Sequence, residues 1–414
     1  MIRQRIAILG AGTAGLATAI VLARQGHDIT LFEQSPSMRC VGAGILLQPT
    51  GMAVFQHLGV LEEALDLGAR VTSLQGRLAN GSLLVNSAYR EAGVDHHGLG
   101  LHRATLCHVL MQALKPHDVC WRMGANVESI HDHGDAAEVV YDQHGIEHSA
   151  SFDLLLVANG AKSGLRPDAW MSLDMPYPWG AVWAILPECQ TLDTDVLHQF
   201  YHGPSRMMGV LPTGAVPENP QQRLSSVFWS LPCAALDRWG ETPDPMNAWI
   251  AEVQQRWPVA GEWLGSVIHS REQLLPARYR DVVMHTFGGG RIGILGDAAH
   301  AMSPQLGQGV NMALLDAWAL GQAMQQAAHH DGMWQHYHRL RQPSIRFYQL
   351  MSRALTPFYQ SHSRLLGVVR DIGFPWMYRL PWLRREMAKT VSGIKTGPFS
   401  ELSLNVIASR DSTA

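Results

Sequence analysis

The chain has 414 residues, enough for two or three domains around a sizeable core. Charged residues make up 16% and the formal net charge is −3, which excludes a broad basic field for nucleic acid. No uninterrupted apolar run is long enough to span a bilayer, and the apolar N-terminus is better explained as strand, turn and helix than as a signal peptide.

The first predicted elements are the most informative. Arg5-Ile-Ala-Ile-Leu-Gly10-Ala-Gly12-Thr13-Ala14-Gly15 is a strand followed by a tight turn. A helix then runs to about Arg24, and Asp28 to Glu33 form a second strand. Gly10 allows the turn, Gly12 lets backbone approach a pyrophosphate, and Gly15 lets helix and strand pack closely. Glu33 stands about 20 residues on, where an acid hydrogen-bonds a ribose diol, so FAD or NAD is expected rather than NADP.

Next comes Arg39-Cys-Val-Gly42-Ala-Gly44-Ile-Leu-Leu-Gln-Pro49, whose glycines suggest close backbone approach to something flat or bulky. A helix is expected from about Gly51 to Leu67, and Arg103 stands near another helix entry. Val127 to Ile130 and Ala137 to Tyr141 read as hairpin strands. Ser151 to Ala158 reads as a buried strand that ends in Asn159-Gly160-Ala-Lys-Ser163-Gly-Leu-Arg166. From about Pro167 to Thr286, short strands separated by Pro and Gly predict an antiparallel sheet: Gly180–Leu186, Val196–His202, Arg206–Leu211 and Leu224–Leu231. A helix is expected around Ala248–Trp257.

An apolar run then ends in Gly296-Asp297, and Ser303-Pro304-Gln-Leu-Gly307-Gln-Gly309-Val310-Asn311 opens a long apolar helix. An aspartate at the end of a buried strand needs a partner, and a ligand hydroxyl is a good one. The Gly-rich helix start exposes free N–H groups and a positive dipole end, which suits an anionic group. The remainder reads as mostly helical, with a Pro-rich interruption near Gly373-Phe-Pro-Trp376. The segment from Leu365 to Arg385 mixes aromatics with arginines; its prolines favour a lid packed on the core over a membrane-contacting helix.

Three motifs in this order resemble the class A FAD-dependent aromatic hydroxylases, the single-component monooxygenases typified by p-hydroxybenzoate hydroxylase. They are the Gly turn with Glu33, the stretch Asp153 to Arg166, and Gly296-Asp297 with the Pro304…Gly307…Gly309 loop. The resemblance implies an α/β fold: a Rossmann-like FAD-binding domain (residues 1–166 and 287–330), an inserted antiparallel β-sheet substrate domain (167–286) and a C-terminal helical part (331–414). It implies that FAD binds along Gly10, Gly12, Thr13, Ala14, Gly15, Glu33, Gln34, Arg39 and Gly44. Arg103 would reach the ribityl–pyrophosphate region and the backbone near Val127 the adenine. Asn159 and Arg166 belong to the same expected site, and Asp297 would bind a ribityl hydroxyl. Gly307 belongs to the same cofactor loop; Pro304 would sit beside the reactive edge of the flavin, with Gly309, Val310 and Asn311 at its pyrimidine end. NADH or NADPH would act without its own Rossmann domain, since one GxGxxG is found. The chain departs from the family at Asn159-Gly160, where Asp-Gly is usual, and at Thr50, where Asn often stands.

The implied reaction reduces FAD, binds O2 as a flavin C4a-hydroperoxide and hydroxylates a small aromatic or N-heteroaromatic molecule. Candidates for substrate activation are His198, Tyr201, His202 and Arg206, with Pro304 at the flavin edge. Alternation puts His198, Phe200 and His202 on one strand face and Tyr201 on the other, without saying which meets the flavin. Arg206 is the first choice for substrate or flavin contact, the alternative being a surface arginine at a strand start.

Tryptophan is enriched between Pro167 and Thr286, and one or two of these rings are expected to face the ligand. His329, His330, His336 and His338 lack a matching cysteine or carboxylate set, so no metal is expected. The five cysteines form no CxxC pair and no even-numbered framework, which fits a reducing cytoplasm. A flavin-dependent halogenase is the first alternative, but it relies on a positioned lysine. The four lysines lie outside the expected pocket, and Trp179-Gly-Ala-Val-Trp183 lacks the Trp-x-Trp spacing. An oxygen-independent FAD reductase and a flavin-binding protein without turnover complete the alternatives.

Overall fold

The computed structural model describes residues 2–38, 42–93, 95–240 and 245–409; Arg39, expected at the cofactor, lies outside them. Strands Arg5–Leu9 and Leu154–Val157 are almost wholly apolar, as befits parallel strands covered on both faces. They pair in parallel with Ile6 opposite Leu154, and Arg5–Leu9 also pairs with Asp28–Glu33. Val119–Met123 and Ile292–Ile294 extend this sheet on either side, and the short strand Gly288–Gly289 caps one edge. Helix Thr13–Arg24 packs on helix Gly309–Gln326 against it. A three-stranded antiparallel sheet, Ala125–Asp132, Ala137–Gln143 and Ile146–Phe152, meets it through Phe32, whose ring touches Tyr141 and Phe152 edge-on.

The second large sheet has seven strands, in the order Leu275–Met284, Met171–Pro187, Asn219–Pro232, Arg206–Val216, Val196–His202, Ser73–Leu78, Leu83–Ala88. It is not wholly antiparallel as expected, because Val196–His202 pairs in parallel with Ser73–Leu78. That strand reads Ser-Leu-Gln-Gly-Arg-Leu, too irregular in polarity to announce itself, and it belongs to the N-terminal third of the chain. Behind the sheet, Trp229, Trp249 and Trp257 pack edge to face under helices Pro245–Arg256 and Pro258–Val267. Burying each such ring contributes about 1.5–3 kcal/mol.

Other expectations need correction. The helix expected over Gly51–Leu67 is two, Pro49–Leu58 and Leu61–Leu67, broken where Gly59 takes a left-handed φ of 67°. The strand expected at Ser151–Ala158 divides at Asp153 between the small sheet and the parallel one. Near the C-terminus, helix Arg364–Met377 runs through Pro375 instead of stopping there. Pro375 costs the last turn one N–H hydrogen bond, but Tyr378 N–H still closes the helix end on Phe374 O, and Pro381, in a first turn where no N–H is needed, begins the next one, Pro381–Val391. Cys107 is disulfide-bonded, which the cysteine spacing did not announce.

Candidate functional site

The Gly turn explains itself by contact. Gly10 has φ of +107°, and a Cβ there would lie 2.6 Å from the Ala158 carbonyl oxygen. A Cβ on Gly15 would lie 1.9 Å from the Gly10 oxygen, so helix and strand touch backbone to backbone. Gly12 differs, because nothing lies within 4 Å of a Cβ built there. It caps helix Thr13–Arg24 without a side-chain hydrogen bond. The helix N-terminus therefore faces a cavity of about 180 Å³, walled by Gly12, Thr13, Glu33, Ser35 and Arg103. Glu33 is held by two backbone donors, Ala11 N–H at 3.0 Å and Ser35 N–H at 3.0 Å, one to each oxygen. Each oxygen keeps a lone pair free for a diol. Ala14 is buried under Gly296, Gln34 is exposed, and Val127 lies half-buried on the small sheet; none of the three lines this cavity.

Asp297 begins the short helix Asp297–His300, and its exposed side chain has no hydrogen bond or ion pair among the described residues. What fixes it lies beneath. Asp316, fully buried, accepts Gly296 N–H at 2.8 Å and faces His300 Nε2 at 2.6 Å. Its other oxygen accepts Arg341 Nε–H at 2.7 Å. Sequence reading missed this trio, although a carboxylate inside the apolar run Leu314-Leu-Asp316-Ala-Trp318 was a usable signal. Asn311 ties the loop down: its Oδ1 accepts Gln48 N–H at 2.8 Å, and its amide nitrogen donates to Gly307 O at 3.1 Å. Helix Gly309–Gln326 starts without a side-chain cap, leaving backbone donors free.

Asn159 is exposed, and its Cα would lie 2.8 Å from a Cβ on Gly10, so its loop abuts the Gly turn. Arg166 is buried and lines neither cavity. It donates to Asp174 at 2.6 Å and to Ala298 O and Ala161 O, each at 3.2 Å, locking three segments together.

A second cavity, of about 330 Å³, joins this loop to the seven-stranded sheet. Gly44, Asp297, Pro304, Gly307, Gly309 and Val310 form one wall. Trp183, Gln199, Met207, Phe228, Ser230 and Tyr279 form the other, and Gln360 and Val391 from the C-terminal helices close it. Trp183 Nε1–H donates to the Tyr279 hydroxyl at 3.0 Å, which leaves the phenol proton free to donate. Burial pushes the Tyr279 phenol up to about 12. Gln360 donates its amide to Ser230 Oγ at 2.6 Å, while its Oε1 is buried without a partner. No lysine, arginine or histidine lines this cavity, and Asp297 is its sole carboxylate among the described residues.

The expected catalytic set is not brought together. His198 lies on the far strand face, its Nε2 3.1 Å from Asp193 O, and burial lowers its pKa. Tyr201 is buried away from the cavity, with the Arg370 guanidinium 5.2 Å from its ring centre. Arg206 is a surface arginine, its Nε 2.5 Å from Glu252. His202 is likewise outside the lining. For His198 and His202 the reason is strand alternation, since Leu197 and Gln199 face the cavity; Tyr201 shares the face of Leu197 and Gln199 but is covered by Tyr359 and Arg370. Pro304 does line it. Of the tryptophans between 167 and 286, Trp183 reaches the cavity while Trp229, Trp249 and Trp257 pack behind the sheet. Among the described residues, no three His, Cys, Asp or Glu side chains converge on a metal-sized site. His338 instead accepts Phe287 N–H at 3.0 Å, and His329 caps its own helix.

The donor set fits an extended FAD: a helix N-terminus with an open Gly12, an acid with free lone pairs, an unpartnered Asp297 and an uncapped second helix. Comparison with known proteins agrees. The FAD binding domain family matches residues 3–347. A probable 2-heptyl-3-hydroxy-4(1H)-quinolone synthase of Rhodococcus erythropolis is 27% identical over 402 residues, covering 94% of this chain and 95% of that protein. The 6-hydroxynicotinate 3-monooxygenase of Bordetella bronchiseptica is 27% identical, covering 80% of this chain and 85% of that one. Among solved structures, an HpxO variant of Klebsiella pneumoniae complexed with FAD superposes with a TM-score of 0.77 at 19% identity, over 96% of this chain and 100% of that one.

Proposed function

This chain belongs to the FAD binding domain family, as an FAD-dependent flavoprotein monooxygenase, and we propose that it uses NAD(P)H and O2 to hydroxylate an uncharged aromatic or N-heteroaromatic small molecule. One observation supports an uncharged substrate: among the described residues, the cavity beside Asp297 and Pro304 has no cationic side chain to hold a substrate carboxylate. Burying an unpaired carboxylate there costs on the order of several kcal/mol or forces its neutralisation. The two relatives differ on this point, since one is named for a nicotinate and the other for an alkylated quinolone. The lining favours the second kind of molecule.

FAD, when bound, supplies electron storage and oxygen activation. The protein supplies the rest. Trp183 and Phe228 offer flat apolar surface for a ring. The free Tyr279 proton suits a substrate carbonyl or hydroxyl oxygen, and Gln360 Oε1 suits a ring N–H. The apolar walls exclude water from the reacting centre. The sheet side of the cavity holds no histidine or carboxylate among the described residues, so the substrate ring is electron-rich without help from a side-chain base. The uncapped N-terminus of helix Gly309–Gln326 would offer its free donors to negative charge on the cofactor. Asp297 and Glu33, which line the two cavities, would hold the ribityl chain and the adenosine ribose. Use of NAD(P)H supports a cytoplasmic reaction.

A halogenase reading finds no support, because Lys395 is ion-paired with Glu386, Lys389 with Glu401, and no lysine lines the cavity. Anaerobic reduction by NADH or NADPH tests the proposal, with phenols, indoles and quinolones set against their carboxylated counterparts. Strong acceleration of flavin bleaching by an uncharged compound is expected. Acceleration by the carboxylates alone overturns the substrate class, and the absence of any response overturns the hydroxylase.

A further inference from the structure

Helix Arg364–Met377 carries an apolar stripe that none of the described residues covers. Leu365 (72% exposed), Ile372 (63%) and Trp376 (63%) stand on it with Val368 and Val369 between. At 100° per residue these five positions fall within an arc of roughly 100°, one continuous side of the helix. Leu380 and Trp382 (64% exposed) prolong it into the next helix. The opposite side is anchored. Phe374 packs with Leu84, Val85, Tyr201 and Met207, and the fully buried Arg370 donates to Asp371 and to Phe358 O. The stripe therefore points outward as a fixed feature and does not serve as a lid over the core.

Its rim is basic. Between residues 364 and 391 the sequence has six cations and two anions, Asp371 and Glu386. Both anions are engaged, Asp371 by Arg370 and Glu386 by Lys389 and Lys395. Arg364, Arg379 and Arg385 are exposed without a carboxylate partner among the described residues, and the Arg379 guanidinium lies 4.7 Å from the Trp376 ring centre. A two-fold contact with a second copy would set this patch against itself, arginine facing arginine. An anionic surface with an apolar interior satisfies both the rim and the stripe, and tryptophan is the side chain suited to such an interface.

We propose that this protein docks on an anionic lipid surface through the stripe Leu365, Val368, Val369, Ile372, Trp376, Leu380 and Trp382 with its arginine rim. No helix of the described residues is long and apolar enough to cross a membrane, so the helix lies along the surface. Met207, under Phe374, lines the large cavity, so docking sets that cavity close to the lipid.

The test is sedimentation of the full-length, FAD-loaded protein with vesicles of phosphatidylcholine alone or mixed with phosphatidylglycerol. The protein should pellet with the mixed vesicles at low salt, about ten-fold more weakly with phosphatidylcholine alone, and be released at high salt. Ile372→Asp and Trp376→Ser should each weaken pelleting about ten-fold at an unchanged melting temperature. The pair Arg379→Glu and Arg385→Glu should abolish the preference for the anionic lipid. Failure of the wild type to pellet with mixed vesicles overturns the proposal, as does wild-type pelleting by Ile372→Asp. A dimer in light scattering that Ile372→Asp dissolves, without vesicle binding, assigns the stripe to a second copy instead.

Discussion

His300 and Asp316 meet at 2.6 Å in the interior, and the same Asp316 oxygen holds the backbone N–H of Gly296. The contact sets the strand end from which Asp297 projects. Burial by itself raises the Asp316 pKa, but the charges and hydrogen bonds of His300 and Arg341 hold the carboxyl well below the usual carboxylate range. Its folded pKa is depressed, so its contribution to stability is present above the unfolded value of about 3.9 and is lost as pH falls below it. Asp316→Asn leaves the Arg341 guanidinium buried without an anion and should cost about 3–5 kcal/mol. Melting temperatures recorded against pH should show the wild type losing stability below about pH 4 more steeply than the variant.

Gly12 and Gly15 should separate when each becomes alanine. A Cβ at Gly15 meets backbone at 1.9 Å, whereas at Gly12 it meets nothing within 4 Å. Gly15→Ala should lower the melting temperature of the apoprotein or prevent folding. Gly12→Ala should leave it unchanged yet raise the FAD Kd about ten-fold or more, near 1.4 kcal/mol. Calorimetry of the apoprotein and fluorescence titration with FAD read the two effects.

Asp297→Ala removes an exposed carboxylate that no group among the described residues uses. The apoprotein should melt as the wild type does. FAD affinity should fall by about ten- to a hundred-fold, the range for a hydrogen bond to a charged group of about 1.5–3 kcal/mol. Retention of yellow colour through gel filtration, equal to wild type, would refute this role.

Tyr279→Phe should lower kcat/KM about ten-fold toward a substrate that uses the phenol proton, as loss of one hydrogen bond does. Arg206→Gln should change kcat/KM less than two-fold, because its pairing with Glu252 is a half-exposed ion pair of about 0–1 kcal/mol. Steady-state kinetics on both variants distinguish the cavity wall from the outer face.

The flavin half of the site was legible because its signals are local. Gly10, Gly12, Gly15 and Glu33 lie within one strand–helix–strand unit, and Asp297 follows its strand directly. The substrate half was not, because its wall is assembled from Trp183, Tyr279 and Gln360, side chains that sit on three distant segments. Period-2 alternation sorted His198 from Tyr201 but could not say which face looks inward, and burial sent both elsewhere. The strand Ser73–Leu78 was invisible because its parallel partner begins at Val196, over a hundred residues away. Asp316 was readable as a carboxylate in an apolar helix, but Arg341, its partner, lies on another element.

One side of the cavity is tied down by residues 390–392. Gln308 donates to Val391 O at 2.8 Å, Tyr348 donates to Thr390 O at 3.0 Å, and Thr50 reaches Ser392 O. A nascent chain leaving the ribosome therefore completes its Gly turn and both large sheets before this seam can form. Until the seam forms, that side of the cavity would stay open to water, and a reduced flavin held there would lose its electrons to oxygen as peroxide. Maturation of the enzyme thus has an order: cofactor hold first, shelter for the reaction last.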